Sequence, residues 1–234
     1  MPDDERAGVT RIRHVAARLG PLLERVVFLG GAVTGLLLTD TAAPEARFTE
    51  DVDVVVAVDS RAGYYRLEET LRELAFTHVR EVICRWNIAG VLVDVMPTDA
   101  TILGFSNRWY PGVLETATRV PLGDSLAVRL VTAPYFVATK LEAFSDPKRE
   151  GSGDYFASRD MADVIAVLDG RPELTSEIAA TGDDVRLFLS REVRRLLADA
   201  DFREALSSHL MPDDASQRRE PQLLQRLEAI AELT

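Results

Sequence analysis

Three acidic residues lie inside stretches that otherwise have the composition of buried β-strands. Asp51 and Asp53 begin a run rich in valine, and Asp94 interrupts the apolar run 91–96. Side chains two positions apart on a strand point to the same face, so Asp51 and Asp53 should be partly desolvated and repel each other. Hard carboxylate oxygens suit Mg²⁺, which would relieve that repulsion. Asp94 joins this pair if its strand lies beside theirs; the alternative is that all three are capping or hydrogen-bonded structural residues.

A pair of glycines, Gly30 and Gly31, follows the apolar run 25–29 and precedes a short helical pattern at 32–38. Glycines let a phosphate group approach the backbone, and a helix N-terminus offers free N–H groups and a positive dipole. The pair therefore fits a phosphate cradle. An ordinary tight turn between a strand and a helix is the competing interpretation.

A lysine in a helical stretch stands out because this chain contains 25 Arg but only 2 Lys. Lys140 lies four residues after Phe136 and four before Phe144, so it shares a helix face with two aromatic rings. This position predicts contact with a phosphate or a carboxylate, although a lysine that snorkels to solvent would fit too. Further along, Asp160 flanks the buried stripe of the next helix and Asp163 is expected further out. Asp160 is therefore the candidate base or orienting acid, and the alternative is an exposed helix with ordinary charges.

The surrounding pattern predicts an α+β protein whose N-terminal part holds a mixed β-sheet flanked by helices and whose C-terminal part is all helical. We place the boundary near residue 132, giving domains 1–132 and 133–234. Strands are predicted at 25–29, 52–58, 79–86, 88–96, 116–120 and 126–131, with most of 97–122 irregular. Helices are predicted at 10–24, 32–38, 64–76, 135–144, 155–168, 173–180, 183–199, 201–210 and 217–232.

Composition excludes several classes of protein. The 234 residues carry a formal net charge of −11, which argues against a broad basic surface for nucleic acid. Cys84 is the single cysteine and the three histidines are far apart, so no internal disulfide or cysteine zinc site is expected. The segment 1–8 is acidic and has no apolar core, so it does not resemble a signal peptide, and no apolar run is long enough to cross a membrane. A cytoplasmic location is expected.

Taken together, these motifs resemble the DNA polymerase beta-like nucleotidyltransferase superfamily, whose pattern is Gly-Gly, Asp-x-Asp and a third acid on a later strand. Within it, the chain is most similar to the AbiEii toxin family. The residues that carry the second resemblance are Arg47, Thr49, Asp51, Asp53, Lys140, Arg159, Asp160, Asp163 and Val164.

The resemblance implies transfer of NMP from an NTP to an acceptor hydroxyl by a polymerase beta-like domain at 1–132. It implies two Mg²⁺ ions, with Asp51 and Asp53 bound to both and Asp94 bound to the ion that activates the hydroxyl. The nucleotide-binding residues would be Gly30, Gly31, Thr34, Arg47, Thr49 and Lys140. Asp160 would orient Lys140 or the acceptor.

The same resemblance implies a toxin that acts on tRNA or another RNA and has an antitoxin protein as partner. A small-molecule transferase of the aminoglycoside-modifying kind is an alternative that suits an acidic chain. Protein nucleotidylation is another, and a non-catalytic nucleotide-binding module is the last. The one basic cluster of the helical part, Arg191, Arg194 and Arg195, has the spacing of a solvated helix face.

Overall fold

The computed structural model describes residues 3–58, 60–148 and 151–234, with side chains from residue 8 onward. Within these residues the chain forms two compact units. The first contains the described residues up to Leu36 together with Arg47–Thr132, and the second contains Leu37–Ala46 together with Ala133–Thr234. The chain therefore leaves the first unit for ten residues before the sheet is complete. The assignment of 1–132 and 133–234 as functional domains stays a prediction.

The elements up to residue 130 alternate between strands and short helices. In chain order they are α1 (Asp3–Leu19), β1 (Val26–Leu29), α2 (Thr34–Leu37), β2 (Asp51–Val56), α3 (Arg61–Glu73), β3 (Thr77–His78), β4 (Arg85–Ile88), β5 (Val91–Pro97), α4 (Ala100–Leu103), α5 (Tyr110–Thr116), β6 (Thr118–Gly123) and β7 (Leu126–Leu130). Turns of 3₁₀ helix precede β1 and α2.

The described strands form one seven-stranded sheet in the order β3-β4-β5-β2-β1-β7-β6. The pairs β2–β5 and β1–β7 are parallel, and the other neighbours are antiparallel. The α+β class and the mixed sheet are confirmed. A central position requires burial on both faces, and β1 is accordingly buried along its whole length.

Strand β2 separates its two faces by residue type. Val52 and Val54 are completely buried, whereas Asp51 and Asp53 keep partial exposure. On β4 the same alternation buries Trp86 and Ile88 and leaves Arg85 partly exposed. The period of two therefore sends the apolar side chains into the core and the charged side chains to the opposite face of the sheet.

Two predictions for this unit are wrong, one of a strand and one of an irregular region. Residues 79–84 are not a strand, because backbone hydrogen bonds from Val82 to Val79 and from Arg85 to Val82 close turns there. The region expected to be irregular, 97–122, contains α4 and α5. Asp99 caps α4 by accepting a hydrogen bond from the backbone N–H of Thr101 at 2.8 Å, a cap that the apolar pattern alone does not reveal.

From residue 133 onward, every regular element in the described part of the chain is a helix. The α-helices are α6 (Ala133–Phe144), α7 (Arg159–Gly170), α8 (Leu174–Ala179), α9 (Asp183–Ala198), α10 (Ala200–Ala205), α11 (Asp214–Gln217) and α12 (Glu220–Ala231). Helix α7 begins later than predicted because Ser158 is its N-cap and accepts from the backbone of Met161. Among the described residues, no helix has both the length and the apolar character needed to cross a membrane.

The segment 37–46 belongs to the helical unit because it is bonded to that unit's side chains. Arg219 contacts Asp40 at 2.6 Å and Asp169 at 2.8 Å, so one guanidinium holds two acids. Arg171 donates to the carbonyl of Leu37 at 2.7 Å. The hydrogen bond that Asp40 accepts from Arg219 also lowers the pKa of Asp40 below its ordinary value.

Candidate active site

A row of four residues crosses the sheet at the level where β1 ends. Arg85 is paired in register with Asp94, Asp94 with Asp53, and Asp53 with Leu29. Residues that are opposite one another on neighbouring strands share a face, so the side chains of this row project to the same side of the sheet. Asp51 lies two residues before Asp53 and shares that face. The structure thus brings Asp51, Asp53 and Asp94 onto one surface, as the sequence predicts if their strands are neighbours.

Gly30 follows this row and lies directly against Asp53. Its φ of 76° belongs to the left-handed region, and a Cβ at this position would fall 1.8 Å from Oδ2 of Asp53. No residue with a side chain fits there unless the carboxylate moves. The glycine therefore allows the Asp53 carboxylate to lie beneath the turn that follows β1.

The sequence analysis missed Arg85, which lies between two of the predicted acidic residues. Its Nε and Nη2 donate to Asp94 at 2.8 and 2.7 Å, and Nη2 also donates to Asp51 at 3.0 Å. The hydrogen bond to Asp94 is the main cause that raises the pKa of Arg85. The alternation of Arg85 with the buried Trp86 was the available signal, but it identifies a partner only when the β4–β5 register is known.

Asp51 is held on its other side by the loop that precedes β2. Thr49 donates its hydroxyl to Oδ1 of Asp51 at 2.9 Å, and Arg11 donates to the carbonyl of Thr49 at 3.2 Å. The guanidinium of Arg11 also lies 4.3 Å from the ring centre of the exposed Phe48. Arg47 donates to the carbonyl of Phe48 at 3.4 Å. In this structure Thr49 therefore contacts Asp51, and Arg47 contacts the loop before β2.

The remaining predicted phosphate-binding residues differ in their access to solvent. Gly30 is partly exposed, whereas Gly31 and Thr34 are buried, Thr34 completely. The hydroxyl of Thr34 has no hydrogen-bond partner among the described residues. A buried hydroxyl normally has one, so this side chain is a polar group that the described protein atoms leave unsatisfied.

In the helical unit, Lys140 on α6 faces two acids on α7. Its Nζ lies 3.0 Å from Oδ1 of Asp160 and 2.7 Å from Oδ2 of Asp163. The expectation that Asp163 lies further out is wrong, because its side chain is completely buried where α7 packs against α6. Lys140 itself is only 11% exposed and lies 5.7 Å from the ring centre of Phe136. Of the two partners predicted for Lys140, a phosphate or a carboxylate, the structure shows carboxylates.

The chemistry of the three sheet carboxylates fits a hard divalent cation, and a positive charge already lies between two of them. That charge is the guanidinium of Arg85, which bonds to oxygens of both Asp51 and Asp94. As arranged, the described residues contain no group of three or more His, Cys, Asp or Glu side chains positioned around a metal. Carboxylate oxygens are nevertheless the donor type that suits Mg²⁺, and Arg85 lies where positive charge is needed.

Carboxylates grouped on one face of a sheet can hold divalent cations, and enzymes that transfer phosphoryl or nucleotidyl groups use such cations. A family model described as "Nucleotidyl transferase AbiEii toxin, Type IV TA system" matches residues 16–232. The chain belongs to this family and is a nucleotidyltransferase, an enzyme that transfers phosphorus-containing groups. No match was found among curated proteins. The predicted family is thereby confirmed.

Proposed function

We propose that this nucleotidyltransferase moves NMP from an NTP to a hydroxyl group of tRNA or another RNA and releases pyrophosphate, in a Mg²⁺-dependent reaction. Membership of a nucleotidyltransferase family supports the reaction type. The observation that carries the proposal is the placement of Asp51, Asp53 and Asp94 on one face of β2 and β5. Three carboxylates on one face would attract divalent cations, and a bound cation would in turn attract the negatively charged triphosphate.

In this proposal Asp51, Asp53 and Asp94 are the residues that hold two Mg²⁺ ions. Bound there, one ion would lower the pKa of the attacking hydroxyl and the other would neutralise charge on the triphosphate and the leaving pyrophosphate. The chain's own contribution is to orient these carboxylates. Thr49 fixes one oxygen of Asp51, and the turn at Gly30 gives Asp53 room. The backbone of the partly exposed Gly30, together with Gly31 and Thr34, is proposed to bind phosphate.

Lys140 is proposed to bind the triphosphate, with Asp160 as the residue that orients it. The two acids on α7 support this role because they restrict a flexible side chain to one position before substrate arrives. Arg47 and Thr49 are proposed to bind the nucleotide from the loop before β2. Each of these roles requires only that the side chain reach an anionic group or a hydroxyl.

The proposed partners follow from the family description, which places these toxins in type IV toxin–antitoxin systems. We propose an antitoxin protein as a partner and the cytoplasm as the location. The basic cluster on α9 gives no support to an RNA contact. Arg191 and Arg195 pair with Glu192 at 3.3 and 3.0 Å, and Arg194 donates to Ser190 at 3.1 Å.

A label-transfer experiment tests the proposed reaction. The protein would be incubated with Mg²⁺, one α-³²P-labelled NTP at a time, total RNA and cell lysate. Label in a tRNA-sized band that is absent with Asp53→Asn supports RNA nucleotidyl transfer. Asp124→Asn is the matched control, because Asp124 is 84% exposed on the β6–β7 turn and Asn tolerates its positive φ.

Other outcomes redirect the assignment. Label in a protein band would replace RNA by protein as the acceptor. Label in neither band would contradict RNA transfer, and an aminoglycoside that becomes labelled in the same mixture would identify a small-molecule transferase. Binding of NTP without release of pyrophosphate in any mixture would contradict catalysis and leave a nucleotide-binding module.

A further inference from the structure

Arg85 engages oxygens that the proposed function assigns to metal binding. Both oxygens of Asp94 accept from Arg85, at 2.8 and 2.7 Å, so the carboxylate is bonded in a bidentate fashion. Oδ2 of Asp51 accepts from the same Nη2 at 3.0 Å. The other oxygen of Asp51 accepts from Thr49. In this arrangement, each oxygen of these two carboxylates already has a hydrogen-bond donor.

The contacts to Asp94 and Asp51 are not equivalent. Asp94 is opposite Arg85 in the antiparallel β4–β5 ladder, and its side chain is only 13% exposed. Asp51 lies on the strand beyond, receives a single, longer hydrogen bond from Arg85 and is 34% exposed. A bidentate, poorly solvated ion pair is stronger than a single, more exposed one. The bond to Asp51 is therefore the first to yield to a competing cation.

We propose that Arg85 competes with the divalent cation for Asp51 and Asp94 and thereby sets the metal affinity of the site. This inference rests on the proposed function, because it takes those carboxylates as ligands. Without metal, Arg85 neutralises the carboxylates and keeps them at close range. Asp51 would be the first of the two carboxylates released to a cation, and Arg85 would stay anchored on Asp94 as a positioning residue.

Competition of this kind has a directional consequence. The metal ion must displace one guanidinium hydrogen bond, and then must bind close to a retained positive charge. Both effects weaken binding relative to a site without Arg85, and both act in a partly desolvated setting where charges interact strongly. Neutral replacement of Arg85 should therefore tighten metal binding, whereas loss of a merely structural residue should weaken it by disordering the ligands.

The test is calorimetric titration of the full chain with Mn²⁺ alone and with Mg²⁺ alone, without nucleotide or acceptor. We expect Arg85→Gln to bind Mn²⁺ about tenfold more tightly than the wild type, or better. Arg85→Lys keeps the charge but loses the bidentate fork, so it should give an intermediate affinity. Arg119→Gln is the matched control, because Arg119 forms a bidentate pair with Glu24 on the exposed surface of the same unit.

The outcomes separate this proposal from the proposed function. Unchanged or weaker binding by folded Arg85→Gln, beside a wild type that binds metal, overturns the competition and leaves the metal site standing. If Arg85→Gln does not fold, Arg85→Lys decides the matter, because affinity equal to or below that of the wild type again overturns the proposal. Failure of every folded variant to bind either ion overturns both. A gain that disappears in Arg85→Gln/Asp51→Asn locates the ion at Asp51 and supports the proposal.

Discussion

The Asp53 carboxylate lies against Gly30, so that a Cβ added at residue 30 would fall 1.8 Å from its Oδ2. This contact joins the end of β1 to the acidic face of β2. The adjacent Leu29 is paired in register with Asp53, which explains why the glycine that follows it meets the carboxylate. The glycine pair and the Asp-x-Asp motif, which are separate in the sequence, are thus in direct contact in the structure, and a side chain at residue 30 would displace the Asp53 carboxylate.

Replacement of Gly30 by alanine should therefore remove activity rather than only stability. The methyl group forces Asp53 out of place, and the φ of 76° adds a strain of about 1–3 kcal/mol. We expect label transfer to fall by about a hundredfold or more, since misplacement of a reactive group by about 1 Å can cost that much.

Gly90→Ala provides the matched control for that variant. Gly90 has a φ of 89° in the hairpin between β4 and β5, but its added Cβ would meet no atom within 4 Å. It should share the strain and a lower melting temperature while label transfer is retained. Equal losses of activity in the two variants would mean that strain, and not the contact with Asp53, is responsible.

Asp53→Asn should abolish turnover and leave the fold intact. The amide keeps the size of the side chain but removes a charge that is proposed to bind metal, and loss of several kcal/mol of transition-state stabilisation corresponds to about a thousandfold or more in rate. The melting temperature should not decrease, because one of the carboxylates crowded on this face becomes neutral. Label transfer and thermal denaturation would be measured side by side. A clear loss of stability would indicate a structural role for Asp53.

The contributions of Lys140 to stability and to function should be separable. Lys140→Met removes a cation 2.7 Å from the completely buried Asp163, and breaking a buried pair in this way costs about 3–5 kcal/mol. Adding Asp163→Asn removes the buried charge and should restore much of that loss. Chemical denaturation would follow stability, and label transfer would follow function. Recovery of activity together with stability in the double variant would contradict a role of Lys140 in triphosphate binding.

The single thiol should be unreactive in the folded protein. Burial, with a smaller contribution from the Asp94 carboxylate, raises the pKa of Cys84 to about 12. At pH 8 a thiol-specific reagent should label the denatured chain rapidly and the folded chain only at the rate of unfolding. Cys84→Ser supplies the blank. Rapid labelling of the folded protein at pH 8 would show that the β4 segment opens locally.

The same shift makes stability depend on pH at the alkaline end. The folded pKa of this thiol lies above the unfolded value of about 8.5, so keeping it neutral contributes stability that is fully present below about pH 8.5 and declines as pH rises toward 12. Melting temperatures of wild type and Cys84→Ser between pH 8 and 11 would measure this contribution. The wild type should lose more stability over that range than the variant.

Local patterns were enough to determine much of this protein. The alternation of Asp51 and Asp53 with buried valines fixes which side chains share a face, because the period of a strand is two wherever the strand lies. Helical spacing likewise placed Lys140 on a face that cannot be solvated freely. The ordered motifs identified the family and the α+β class, which the family match and the mixed sheet confirm.

Pairings between segments were decided only by tertiary structure. Arg85 reaches Asp94 and Asp51 because β5 lies between β4 and β2 in one register, and a shift of one residue would turn Arg85 to the other face. Asp163 is buried against Lys140 because α6 packs on α7. The periodicity of either helix alone does not predict this contact between helices. Local periodicity specifies a direction for each side chain, whereas its partner depends on long-range packing.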